Sequence, residues 1–284
     1  MATLHDVLKV TQNRLHQNIG YSLDEAKLEA RFILEHVLNI TQKEVIQQSD
    51  QTIDVKDQNH IELITLKRIE GKPLSYLLGE WSFYGRTFKV NADVLIPRPD
   101  TETLIEHALK KINVKDAYQI LDLGSGTGII GITIALERPL SKVLLIDQSE
   151  HALKNTRDNQ SLLEVKNITV QKSDWFNALD KTKFDMILSN PPYLKTDDPH
   201  LLNGLQHEPI EALVSGLTGI ENIQHIIESS KIYLKELGWL FIEHGYDQAE
   251  ILKPLFKANH YQNIQQAKDI HGVVRVTYGQ YSIV

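Results

Sequence analysis

Ile120-Leu121-Asp122-Leu123-Gly124-Ser125-Gly126-Thr127-Gly128 joins an apolar run to a loop with glycine at every second position. Ile120, Leu121 and Leu123 suit a strand buried on both faces, and the glycines let the backbone turn tightly and approach a ligand closely. The loop feeds a helix expected over 128–138, whose first N–H groups have no partner within the helix and favour polar or anionic ligands. Beyond this unit the pattern keeps alternating. Strands are expected at 118–123, 142–147, 167–171, 184–189 and 238–243, and helices at 149–162, 220–236 and 246–258. Residues 261–267 and 273–278 read as a closing antiparallel pair. The expected fold is therefore α/β, a mostly parallel Rossmann-like sheet covered on both faces, with an antiparallel C-terminal strand.

Ligand chemistry collects at the ends of these strands. The second strand ends at Asp147, where a carboxylate can accept hydrogen bonds from both hydroxyls of a ribose. After the third strand, Asp174 can bond an adenine and Trp175 can stack on it. Core packing is the competing role for Trp175. The string Gly126-Thr127-Gly128-Ile129-Ile130-Gly131 also spells the dinucleotide pattern G-x-G-x-x-G, which alone is a weak signal. Two features favour S-adenosylmethionine over a nicotinamide cofactor: Asp122 just ahead of the glycines, suited to an ammonium group, and the loop that follows the next strand.

That loop is Asn190-Pro191-Pro192-Tyr193, after the buried run Phe184 to Ser189. Each proline keeps the residue before it out of the helical region, so the loop is stiff and the Asn190 amide has a fixed direction. Such a loop suits methylation of a planar, conjugated NH₂, whose lone pair is delocalised and attacks poorly until its N–H bonds are drawn out of plane. The Asn190 side-chain oxygen and the Pro191 carbonyl can each accept one N–H, and the Tyr193 ring can stack on the flat group. No strong base is required.

Composition narrows the field. The chain has 284 residues, 42% hydrophobic and 24% charged, which is ordinary for a soluble protein with a large core. Its longest apolar runs are far below a membrane span, and Asp6 stands where a signal peptide would be apolar, so the cytoplasm is expected. With no cysteine there is no disulfide, thiolate zinc site or thiol nucleophile. Twelve histidines are scattered without an H-x-x-x-H pair, and no metal is expected. A formal net charge of −7 argues against direct binding to duplex DNA.

Residues 1–72 contain no proline and two glycines, Gly20 and Gly71. Apolar residues recur at helical spacing, as in Ala30, Ile33, Leu34, Val37 and Leu38. Ser22 with Glu25 and Thr41 with Glu44 have capping-box spacing. These features predict a helical bundle over 1–75, either an appendage or a surface that reads a partner. Trp81-Ser82-Phe83-Tyr84 and Thr87-Phe88-Lys89-Val90 around Gly85-Arg86 read as a hairpin within a linker at 76–100, followed by a helix to about Lys111 capped by Thr101. The main domain then spans 101–284.

In order and spacing, these motifs resemble the class I methyltransferases that act on amino groups, and more narrowly the release-factor glutamine methyltransferases, the HemK/PrmC family. The likeness runs through Phe83-Tyr84-Gly85, Val94 to Glu102, Leu121 to Gly128, Asn190 to Tyr193, Glu208-Pro209, and Glu243-His244-Gly245 with Gln248. Thr218-Gly219 and Asp100 depart mildly from it. The resemblance implies methyl transfer from S-adenosyl-L-methionine to the side-chain nitrogen (N5) of the glutamine in the Gly-Gly-Gln loop of peptide chain release factors. On that reading Asp122, Gly124, Ser125, Gly126, Thr127, Gly128, Asp147, Asp174, Trp175 and Asn190 hold the cofactor, while Asn190, Pro191, Pro192 and Tyr193 hold the glutamine amide. It also implies that the helical domain helps bind the release factor. The rival readings are an adenine-N6 DNA methyltransferase, which would need a basic face, a nucleotide-binding dehydrogenase, and a non-catalytic module that kept the fold.

Overall fold

The computed structural model describes residues 2–202 and 204–283. Its contacts divide into two compact units, one ending at Gly79 and the other beginning at Glu80. The smaller unit holds α1 (Leu4–Ile19), α2 (Leu23–Leu38), α3 (Gln42–Gln47), α4 (Val55–Ile69) and α5 (Leu74–Leu78). Its centre is made by Leu15, Ala30, Ile33, Leu34 and Ile61, all fully enclosed. Both expected capping boxes are formed, at Ser22 with Glu25 and at Thr41 with Glu44, each worth about 1 kcal/mol. A third, Thr3 with Asp6, starts α1 and escapes the usual pattern because Asp stands where Glu or Gln is common. Arg68 on α4 donates to Glu29 on α2 at 2.8 Å, a half-buried pair that holds the two helices in register.

The larger unit opens with a hairpin, β1 (Glu80–Phe83) and β2 (Arg86–Lys89). Both strands lie one residue earlier than expected, because Tyr84 and Gly85 make the turn themselves with φ of 50° and 70°. Positive φ at both central residues gives the primed twist that matches paired strands. By its contacts the hairpin falls within the larger unit. There follow α6 (Thr101–Leu109), β3 (Gln119–Leu123), α7 (Ile129–Glu137), β4 (Lys142–Asp147), α8 (Glu150–Leu162), β5 (Ile168–Lys172), β6 (Phe184–Ser189), α9 (Glu221–Ser230), β7 (Leu234–Glu243), α10 (Ala249–Ala258), β8 (Tyr261–Lys268) and β9 (Val274–Tyr281).

The sheet is seven-stranded, in the order β5-β4-β3-β6-β7-β9-β8, parallel from β5 to β7, with β9 antiparallel to both of its neighbours. Side chains alternate between two cores. Ile120, Leu145, Met186, Leu188 and Phe241 meet α6 and α7 on one face, whereas Leu121, Leu123, Ile146, Ile187, Leu240 and Ile242 meet α9 and α10 on the other. Each such side chain contributes about 1.5–3 kcal/mol on burial. Because the chain leaves β3 for β4 on one side and leaves β6 for β7 on the other, the loops after β3 and β6 diverge and open a crevice at the carboxyl edge.

Three expectations are corrected. The helix predicted over 220–236 stops at Ser230 and β7 begins at Leu234, four residues before the predicted 238. The Tyr233 carbonyl there accepts from Phe184 N at 2.7 Å, so pairing with β6 overrides helical periodicity. The helix predicted from 246 starts at Ala249, since Gln248 Oε1 accepts from Gly245 N at 2.9 Å and closes the preceding residues into a turn. Thr101 is the first residue of α6 and not its cap; Asp100 holds that position without a side-chain capping bond.

Candidate active site

The glycine loop is tied down from three directions. Gly124 N and Ser125 N both donate to the Ile146 carbonyl at 2.9 Å, which fastens the end of β3 to β4. Asp147 then bridges outward: Oδ2 accepts from Gly126 N and Oδ1 from Ser149 N, each at 2.9 Å. Each carboxylate oxygen keeps further acceptor capacity. From below, Thr156 Oγ1 donates to the Gly126 carbonyl and Asn159 Nδ2 to the Thr127 carbonyl, both at 2.9 Å. Gly128, with φ 82°, caps α7 where a Cβ would come within 2.9 Å of Ile132 and 3.0 Å of Thr156, so it serves packing and turn geometry.

Beside the loop lies a cavity of about 620 Å³, within the range usual for small-ligand sites. It brings together Gly124, Ser125, Gly126, Thr127, Asp147, Asp174, Trp175, Asn190 and Pro192. It also draws in residues that sequence reasoning did not assign to the site: the loop Val94, Leu95, Pro97 and Arg98, then Thr101, Ile129, Ile130, His151, Pro209, Glu211 and Ala212. Arg98 is held by an ion pair with Glu208, whose other oxygen accepts from Ile96 N at 3.0 Å, so one buried carboxylate joins two walls of the cavity. The sequence signal for this wall was the family likeness over Val94 to Glu102 and at Glu208-Pro209, which carried no site role.

Four expected residues are not in the lining. Asp122 is fully buried behind it, where Oδ2 accepts from Gly131 N at 2.9 Å on α7. Burial raises its carboxyl to about 7. Gly128 faces α7 and α8. Pro191 is buried, and Tyr193 packs against the α9 and α10 core with its hydroxyl raised by burial. Tyr193 is held through its backbone: Gln248 Nε2 donates at 3.0 Å to both the Tyr193 and Gly219 carbonyls.

Two features test whether the cavity fits the S-adenosylmethionine that the resemblance implies. Trp175 adopts φ 45°, unusual for a bulky residue. Its ring comes within 3.8 Å of where a Cβ on Gly124 would stand, so a flat apolar surface lies over the loop. Asn190 Oδ1 is buried without a hydrogen-bond partner, which is costly unless a ligand supplies the donor. An apolar plate, a carboxylate at the end of β4 and an unmet acceptor at the end of β6 fit a nucleoside cofactor beside an NH₂ donor. Burial pushes the Asp147 carboxyl upward against its Ser149 and Gly126 hydrogen bonds, so polar hydroxyls there suit it better than a second anion would.

Comparison with known proteins gives the same picture. Residues 99–268 match the family model of the methyltransferase small domain, and residues 6–79 match that of the PrmC N-terminal domain. The release factor glutamine methyltransferase of Vibrio cholerae is 38% identical over 281 residues, covering 98% of this chain and 97% of that protein. The Escherichia coli protein of the same name is 35% identical and covers 91% and 93%. Among solved structures, the human Mettl16 catalytic domain, in complex with an RNA hairpin, superposes with a TM-score of 0.56 at 15% identity over 81% of this chain and 83% of that one. A Pyrococcus furiosus methyltransferase gives 0.53 at 16% identity, over 81% of this chain and all of that one. At these identities the structures establish the fold alone.

Proposed function

The chain belongs to the release factor glutamine methyltransferases, and from that premise we propose how its residues divide the work. It is an S-adenosylmethionine-dependent enzyme that methylates a release factor on glutamine. The finer reading is that the acceptor is the N5 amide of the glutamine in a Gly-Gly-Gln loop. The observation that carries it is Asn190, an amide at the cavity wall with a buried side-chain oxygen lacking any partner.

When bound, S-adenosylmethionine supplies an electrophilic methyl group on a sulfonium. Asp147 accepts from the ribose hydroxyls while keeping the Gly126 and Ser149 N–H bonds that orient it. Trp175 and Asp174 take the adenine, with Gly124 to Thr127 as the floor. Asn190 Oδ1 accepts one N–H of the glutamine amide, so that the nitrogen lone pair leaves conjugation as it attacks, while Pro191, buried behind the wall, holds the direction of the Asn190 amide. Tyr193 braces this loop from the core side, and Asp122 acts through α7. The new N–C bond would replace the sulfonium's S–CH₃ bond, leaving a neutral thioether, and the surplus proton on the nitrogen would pass to water.

The helical unit, matched over 6–79 to a domain of this family, contributes the protein-recognition surface on this reading. On this reading the partner is the release factor and the setting is the cytoplasm, and a net charge of −7 argues against general affinity for DNA. Adenine-N6 methylation of DNA is not favoured, because relatives at 34–38% identity carry the release factor name. Mass spectrometry of a release factor incubated with enzyme and S-adenosylmethionine tests the proposal. A single methyl group on the Gly-Gly-Gln glutamine is expected, and a Gln→Glu release factor, with no nitrogen to methylate, remains unmodified. Methyl on another residue would defeat the glutamine assignment and leave the cofactor site standing.

A further inference from the structure

Behind Asn190 two further side chains form a buried relay. Glu243, at the carboxyl end of β7, is 2% exposed, and its Oε2 has no hydrogen-bond partner. Thr101, the first residue of α6, is fully buried; its hydroxyl hydrogen-bonds the Glu243 carboxyl and receives Asn190 Nδ2 at 3.5 Å. A threonine hydroxyl has one proton to give, and Glu243, once ionised above about pH 7, can only accept. If the Thr101 proton goes to Glu243, Thr101 can meet Asn190 only as an acceptor, and only the NH₂ side of the Asn190 amide can face it. Asn190 Oδ1 is then the atom left without a partner, as observed. The 3.5 Å contact is long, so what the relay supplies is polarity more than strength. A buried carboxyl is costly in this position, and nothing else among the described residues uses Glu243 Oε2.

We propose that Glu243, acting through Thr101, is a positioning residue that decides which way round the Asn190 side-chain amide sits, and so presents an oxygen rather than an NH₂ to the acceptor nitrogen. The inference rests on the reading of Asn190 as the group that accepts the glutamine N–H. A reversed amide would set two donors against the substrate NH₂ and leave it conjugated.

The test uses the full-length enzyme with S-adenosylmethionine and a release factor at about pH 8.5, where Glu243 is ionised, in the variants Glu243→Gln, Thr101→Val and Thr101→Ser. Gln at 243 can offer its own NH₂ to Thr101 and release the hydroxyl proton toward Asn190, while Val at 101 removes the relay with little change of shape. Both should lower kcat by about tenfold or more, a change of ~1.4 kcal/mol in the barrier. The KM for release factor and the Kd for S-adenosylmethionine should stay within about threefold, and Thr101→Ser should restore kcat to within about threefold of wild type, because the lost effect is in the transition state and the hydroxyl carries it. Unchanged kcat in Glu243→Gln, Thr101→Ser as impaired as Thr101→Val, or cofactor affinity falling in step with kcat would each overturn the inference. A wild-type enzyme inactive on release factor would overturn the functional reading as well, whereas an active wild type with indifferent variants would sink this inference alone.

Discussion

Asp147 and Asn190 stand at the ends of neighbouring parts of one sheet and have opposite expected signatures. Asp147 lines the cavity while it also holds two backbone N–H groups. On the proposed reading, replacing it with Ala removes charge-assisted bonds to a ribose and loosens the loop, and should weaken S-adenosylmethionine binding by about 2–4 kcal/mol in isothermal titration. Unchanged affinity would mean that the ribose lies elsewhere. Asn190→Ala should keep cofactor affinity within about tenfold yet lose turnover by roughly 10²-fold or more, because its contact strengthens only as the nitrogen rehybridises. Parallel loss of affinity and turnover would recast Asn190 as a cofactor ligand. Gln248 shows how far a residue can act without touching the cavity: its amide closes the turn before α10 and clasps the Tyr193 and Gly219 carbonyls.

Among the elements, α8 turns a polar face inward. Its inward face carries Asn155, Thr156 and Asn159, all buried, because the face meets a loop with free carbonyls rather than a sheet of apolar side chains. Asn159 alone donates to the Lys89 and Thr127 carbonyls and accepts from Lys89 N at 2.6 Å, so α8 also fastens the β1–β2 hairpin. The contact between α7 and the sheet is equally specific. Gly131 lies so close that an added Cβ would come within 2.6 Å of Leu145 and 2.9 Å of Asp122. Gly131→Ala should therefore destabilise by about 1–3 kcal/mol through overpacking, read as a lower denaturation midpoint. A neutral substitution would show that α7 can shift freely away from β4.

For the whole molecule, pH and unit boundary give the sharpest tests. Asp122 and Glu243 are fully buried, and burial raises each carboxyl to about 7 from an ordinary value near 4. A raised folded-state pKa means that the native state holds the proton more tightly than the unfolded chain. The associated stability is therefore present below pH 4 and is lost as pH rises toward 7, by roughly 4 kcal/mol at most for each group. Asp122→Asn should flatten the fall in stability of the cofactor-free enzyme between about pH 4 and pH 7, measured by urea denaturation; an unchanged slope would show that Asp122 is ionised across that window. The division at Gly79 and Glu80 predicts that residues 80–284 alone bind S-adenosylmethionine but methylate intact release factor much less well than the full chain. Equal catalytic efficiency would remove the recognition role from the helices. What sequence alone determined was local: the alternation of strand and helix, the capping boxes, the glycine loop, Asp147 at a strand end and the stiff loop at Asn190, each set by interactions within a few residues or by the period of burial. What only tertiary structure decided was which residues meet across long separations. Asp122 reads like a ligand carboxylate but turns toward Gly131, and Tyr193 reads like a stacking ring but lies partly buried against the core. Conversely, Glu208 reaches Ile96 and Arg98, and Thr101 reaches Asn190. A side chain's direction at a strand end depends on where the neighbouring elements leave unpaired donors and empty volume, and neither is encoded in the spacing of the residue itself.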